Sequence, residues 1–248
     1  MTSIRSFFAR WWAVLAILIA WQLIVTVFRI NPFLIPGPIS IGVEVAKDPL
    51  SFLVPLALTM RTAVIGFTLG VGIGYLVASL SWLWPFFGGT LTPLALIIRS
   101  VPFVALIPVL TRIMGYTDQT AWIICALVCF FPTFVLVSSG LRDIPANGDD
   151  LFSAAGASRL DRYRLLAVPA SLVGLATSIR IAASSSIAAA LIAEFLMGTN
   201  GLAFVLVTSL SELDMTMLWG ASSLAIVVSI AAYLLANQLE RRTIIRWR

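Results

Sequence analysis

The sequence predicts an all-α fold, a polytopic membrane protein with six transmembrane helices. Its 248 residues are 60% hydrophobic and only 11% charged, with a mean hydropathy of +1.03, and no soluble domain of that size can bury so much apolar surface. The apolar residues fall in uncharged runs long enough to cross a hydrocarbon core, separated by Pro, Gly and polar breaks. Basic residues gather on alternate sides of those runs, as cytoplasmic loops require.

Arg5 and Arg10 precede the uncharged run Trp11 to Phe28, which has no small-x-small cleavage pattern after it and is expected to stay as the first span. Pro32, Pro36, Gly37 and Pro38 then forbid a regular helix, and a short surface helix is expected over Ile41 to Ala46. Thr62 to Ile98 is uncharged and too long for one span. Trp82, Trp84, Pro85, Gly88, Gly89 and Pro93 mark a break in it, which leaves a second span before the break and a third from about Thr92 to Leu110. Gly66, Gly70 and Gly74 share one face of the second span and let a neighbouring backbone approach. The fourth span is expected over Gln119 to Leu141 with a kink at Pro132, the fifth over Leu172 to Ala193, and the sixth over Met217 to Ala236. A loop holding Gly198, Asn200, Gly201, Glu212 and Asp214 separates the last two. Cys125 and Cys129 stand on one helix face of a sequence without histidine, which assigns them to packing rather than metal binding.

Six spans place both termini on one side. An inside N-terminus puts Arg5, Arg10, Arg142, Arg159, Arg162, Arg164 and the tail arginines 241, 242, 246 and 248 in the cytoplasm, and leaves Arg29, Lys47 and Arg112 outside. The expected location is therefore the cell's inner or plasma membrane, multi-pass, with both termini cytoplasmic. The net charge of +5 then reports topology and contact with the lipid bilayer, and no nucleic acid is expected as a partner.

One polar island interrupts the second half of the chain, Asp149 to Pro169, reading DDLFSAAGASRLDRYRLLAVP. Acids open its first helical segment, where the helix dipole favours them, and Gly156 stands where a left-handed stop is needed. Ser158 and Asp161 have the spacing of a capping box that starts a second segment running toward Leu166. Leu151, Phe152, Leu160 and Tyr163 can face one way while Arg159, Arg162 and Arg164 reach water or headgroups. Pattern alone also fits an ordinary amphipathic loop between spans.

The spacing of Asp150, Gly156, Ala157 and Pro169 resembles the EAA loop of binding-protein-dependent transport permeases, the membrane subunits of ABC importers. Asp150 stands for the usual Glu, Leu151 and Phe152 replace the two alanines, and Val168-Pro169 replaces Leu-Pro. Further segments resemble the nitrate, sulfonate and taurine group of that family: Phe33 to Pro38, Arg99 to Pro108, Phe131-Pro132, Gly140 to Arg142, Ile179 to Ala182, and Ala193 to Phe195 followed by Gly201-Leu202. Val173 departs from the group, which often has a second proline there. The resemblance covers roughly residues 30 to 240. It implies one permease domain over 1–248, with an extra N-terminal span in 1–30, a five-helix core in 55–240 and cytoplasmic coupling helices in 149–166.

The resemblance also implies partners and roles. Two permease copies, as a homodimer, line a pathway. Two cytoplasmic ATP-binding subunits dock on the coupling helices through Asp150, Ala155, Gly156, Ala157, Ser158, Leu160, Tyr163 and Pro169, and an extracytoplasmic binding protein delivers a small solute. Lys47 is the one lysine, and no G-x-x-x-x-G-K loop occurs, so ATP and Mg are expected in the partner ATPase and neither catalysis nor a cofactor in this chain.

Arg99, Arg180 and Glu194 are the candidate pathway residues. An unpaired charge inside the membrane costs several kcal/mol, so each needs a partner or water. Arg180 and Glu194 are ~21 Å apart along one helix and cannot pair within it. The arginines either favour an anionic cargo or serve the fold, by snorkelling or by bonding neighbouring helices. An ion-gradient-driven carrier is the competing class; it requires a relay of intramembrane carboxylates, and Glu194 is the acid that falls within the expected spans.

Overall fold

The computed structural model of the chain describes residues 2–84, 86, 88, 89, 97, 102–144 and 146–247. The helices whose bounds fall among the described residues are α1 (Thr2–Val27), α2 (Pro38–Lys47), α3 (Leu50–Leu83), α4 (Phe103–Met114), α5 (Asp118–Arg142), α6 (Ala146–Ala154), α7 (Arg159–Met197), α8 (Leu202–Glu212) and α9 (Met215–Trp247). α3, α5, α7 and α9 are each long and apolar enough to cross a membrane. The fold is the expected all-helical membrane bundle, and α2 is the expected short helix after the first span.

The centre of the bundle is α3, α5 and α7, held by close backbone approach. α3 runs parallel to α5: a side chain added at Gly66 would strike Cys125, at Gly70 the Ala126 carbonyl and Cys129, and at Gly74 the Phe130 carbonyl and Thr133. α7 runs antiparallel to both. Gly140 of α5 lies against Ser171 and Gly174 of α7 against Leu136, while the Sγ atoms of Cys129 and Cys125 sit 3.7 and 3.8 Å from the carbonyls of Ala182 and Ser186. Both cysteines are fully buried, so packing is their role here. In lipid there is little hydrophobic force between helices, and small residues that let backbones touch supply dispersion contacts instead.

This register gives the bundle two distinct ends. Ser79, Leu141 and Tyr163 gather at one, together with the α6 segment. Thr59, Glu194 and Leu202 gather at the other. α9 packs antiparallel on α7, and α1 is fastened to α2 where Gln22 Oε1 accepts a hydrogen bond from the Ile39 N–H at 3.2 Å.

Four boundaries differ from the sequence expectation. α3 starts at Leu50 rather than near Thr62, because Arg61 remains exposed, 3.7 Å from Asp118 and over the Trp122 ring, and so does not interrupt the helix. α4 continues past Leu110 to Met114, where Gly115 at φ 82° ends it. The expected loop after α7 contains α8, whose Leu202, Val205 and Ser209 are buried at helical spacing. α9 runs past Ala236 to Trp247. Arg99 and the expected breaks at Pro85 and Pro93 lie outside the described residues.

The glycine contacts generate a direct test. Gly70→Leu should disrupt the α3–α5 seam by at least the ~1–3 kcal/mol typical of overpacking. Gly72→Leu, on the same helix but with open space around its Cα, should be neutral. Thermal unfolding in detergent checks both, and equal melting temperatures for the two variants would contradict the packing scheme.

Candidate functional site

The polar island folds as a helix, a tight turn and a second helix, each fixed by local sequence. α6 ends in a Schellman motif: the Ala157 N–H donates to the Phe152 carbonyl at 2.9 Å and the Gly156 N–H to the Ser153 carbonyl at 3.1 Å. The motif needs a left-handed residue, and Gly156 supplies it at φ 70°. Two residues on, Ser158 caps α7. Its hydroxyl accepts from the Asp161 N–H at 3.2 Å while the Asp161 carboxylate accepts from the Ser158 N–H at 3.2 Å, which completes the capping box. Arg162 pairs with Asp149 and so ties the start of α7 back to α6.

The second helix is anchored to α3. Tyr163 donates its hydroxyl hydrogen bond to Ser79 Oγ at 2.7 Å, and its ring lies 5.7 Å from that of Trp82. Arg159 Nη2 donates to the Trp82 carbonyl at 2.8 Å and its guanidinium covers the Trp82 ring. Those contacts place a cation on a carbonyl in the last turn of α3, as the helix dipole favours.

The island's second helix, expected to run toward Leu166, and the fifth span, expected from Leu172, are one helix through Pro169. α7 passes through it without a break because Tyr163 to Ala167 form a π turn, in which the Val168 N–H bonds the Tyr163 carbonyl. Widening the helix just before the proline relieves the clash between its ring and the preceding turn. The second half of the island is therefore rigidly continuous with a membrane-spanning helix.

Among the predicted site residues, Asp150, Ala155, Gly156, Ser158 and Leu160 are exposed, Ala157 is partly covered, and Tyr163 and Pro169 are half-buried. Leu151 and Leu160 show 67% and 44% of their surface, on a segment beyond the ends of α3 and α5. Both leucines thus stand exposed among charged neighbours on a rigid support. Sequence reasoning missed the clamps: the Asp149–Arg162 pair, and Ser79 and Trp82 as receivers of Tyr163 and Arg159. Opposite charges flanking a glycine stop were the available signal for the first.

Among the described residues, Arg180 and Glu194 each have a partner within the bundle. Arg180 Nε lies 2.6 Å from Glu240 Oε2, and its Nη1 donates to the Tyr233 hydroxyl at 3.0 Å. Thr177 donates to the other Glu240 oxygen at 2.8 Å. Glu240 escaped the sequence analysis because α9 was expected to end at Ala236. Its burial at helical spacing from Ala236 was the signal. Glu194 is 1% exposed and accepts a hydrogen bond from the Thr59 hydroxyl at 2.7 Å.

Residues 70–245 match the family described as the binding-protein-dependent transport system inner membrane component. The chain belongs to that family. It is 22% identical over 92% of its length to a probable ABC transporter permease protein of Haemophilus influenzae, covering 93% of that protein. It is 24% identical over 94% of its length to the formylaminopyrimidine transport permease protein ThiX of Halalkalibacterium halodurans, again covering 93% of the relative. An inward-facing structure of the MetNI methionine ABC transporter shares the fold, with a TM-score of 0.60 and 20% identity over 76% of this chain and 92% of that one. The chain is thus an ABC permease and a multi-pass membrane protein.

The Arg180–Glu240 pair predicts a stability pattern. Arg180→Gln or Glu240→Gln alone strands a charge, at a cost below the ~3–5 kcal/mol of fully enclosed pairs because Arg180 keeps 27% of its side chain exposed. The double variant R180Q/E240Q should be more stable than either single one. Thermal unfolding of the three permease variants checks this, and a double variant that loses the sum of the single losses would contradict it.

Proposed function

We propose that this permease translocates a small solute, delivered by an extracytoplasmic binding protein, through a pathway formed with a second copy of the chain, and that two cytoplasmic ATPase subunits drive it by docking on residues 146–169. The observation that carries the proposal is the exposed apolar pair Leu151 and Leu160 on a helix–glycine–helix unit whose second helix continues into the membrane as α7. A push on that unit is delivered to a span without an intervening hinge. The reading places 146–162 and both termini in the cytoplasm, and the ATP chemistry in the partner. Arg180, held by Glu240, serves the permease fold, and among the described residues the buried carboxylates Glu240, on Thr177 and Arg180, and Glu194, on Thr59, stand ~25 Å apart along α7, too far for the relay that ion-gradient coupling would use.

Gly156 provides the test. A Cβ there would meet nothing within 4 Å, so Gly156→Val imposes no clash. Its cost is the left-handed backbone, ~1–2 kcal/mol, and the resulting shift of one helix against the other. Gly156→Val should insert normally, lose co-purification with the ATPase and lose solute uptake. Gly156→Asn, which tolerates the left-handed region, should keep most of both, and Asp150→Ala should show a mild defect. Undiminished ATPase binding and uptake by the valine variant would contradict the coupling role.

A further inference from the structure

The end of the bundle away from the coupling segment contains a buried polar joint. Thr59 of α3 donates its hydroxyl to Glu194 Oε2 at 2.7 Å and accepts the Leu202 N–H at 2.8 Å, which one hydroxyl can do at once. Thr59, Glu194 and Leu202 are all essentially inaccessible. Leu202 is the first residue of α8, whose N-cap is Gly201 with no side chain of its own to offer. Glu194 stands at that helix start, where a negative charge is favoured and where orphan N–H groups need acceptors. A Cβ at Gly201 would run into the Glu194 carboxylate, so the glycine is required for this close seat. The hydroxyl of α3, held in place by the carboxylate of α7, acts as the cap that α8 lacks.

The same helix α3 is gripped at its other end by the coupling segment, through Tyr163 on Ser79 and Arg159 on the Trp82 carbonyl. Thr59 and Ser79 are ~30 Å apart along one unbroken helix, and α3 has its internal proline at Pro55, outside that interval. Gly66, Gly70 and Gly74 are locked against α5. A displacement of the coupling segment therefore moves the far joint as part of one rod.

We propose that Thr59 and Glu194 are positioning residues that fasten α8 to α3, so that ATPase-driven movement at residues 146–162 reaches α8 at the opposite face of the membrane. The inference rests on the permease reading above and adds to it the element that moves and the residues that hold it.

The test uses the full complex of permease, ATPase and binding protein in nanodiscs, with Ser211→Cys as a probe on the exposed end of α8. A membrane-impermeant maleimide reads it, since Cys125 and Cys129 are buried. In the parent complex, trapping the ATPases with ATP and vanadate should change the labelling rate. Thr59→Val, Glu194→Gln and Gly201→Ala should each abolish that nucleotide-dependent change while the ATPase stays bound and keeps its basal hydrolysis. Thr59→Ser, which restores the hydroxyl, should recover it. Persistence of the change in Thr59→Val and Gly201→Ala would overturn the inference, as would a parent complex with bound ATPase and no change at all. Both of those results leave the permease reading standing. A parent chain that binds no ATPase would overturn both.

Discussion

Backbone contact among α3, α5 and α7 is the constraint on which the other features depend. Lipid tails are as apolar as the side chains they would replace, so these helices gain little from hiding leucines from one another. Gly66, Gly70 and Gly74 on α3, Gly140 on α5 and Gly174 on α7 allow the three backbones to meet. Meeting at backbone distance also fixes register, since a slip by one residue would drive a side chain into a carbonyl. That register puts Ser79 beside Tyr163 and Thr59 beside Glu194.

Polar side chains are then spent at the ends of this core, where each closes a backbone or charge requirement. Arg159 and Tyr163 finish the end of α3, Glu194 and Thr59 begin α8, and Glu240 neutralises Arg180 where α9 crosses α7. None of the three joints is a surface ion pair, for which little energy would be expected. The π turn before Pro169 makes residues 159–162 and the membrane-spanning part of α7 one helix. Stiffness is what the arrangement supplies, as the proposed role of transmitting motion requires.

What the sequence revealed follows the range of the forces involved. The Gly156 stop and the Ser158–Asp161 capping box were legible because each is set within a few residues. The face of Gly66, Gly70 and Gly74 was legible because helical spacing is local too. The Arg180–Glu240 pair was not, since sixty positions separate its members and nothing local links them. α8 was expected to be loop because Gly198 and Gly201 precede it, acids close it, and its short buried stripe, Leu202, Val205 and Ser209, mixes apolar and polar residues. The continuity of the segment ending toward Leu166 with the span from Leu172 was not legible, since the π turn that accommodates Pro169 has no signature in the residue types.

The central claim is that the exposed apolar face of residues 146–162 is where the ATPase sits. Site-directed crosslinking measures it most directly: a photoreactive group placed at Leu151, Leu160 or Phe204, all exposed on this chain, is activated in membranes that contain the whole complex. Adducts with the ATPase from Leu151 and Leu160, and none from Phe204 on α8, are the predicted result. Adducts from Phe204, or none from either leucine while the complex is intact, would contradict the account.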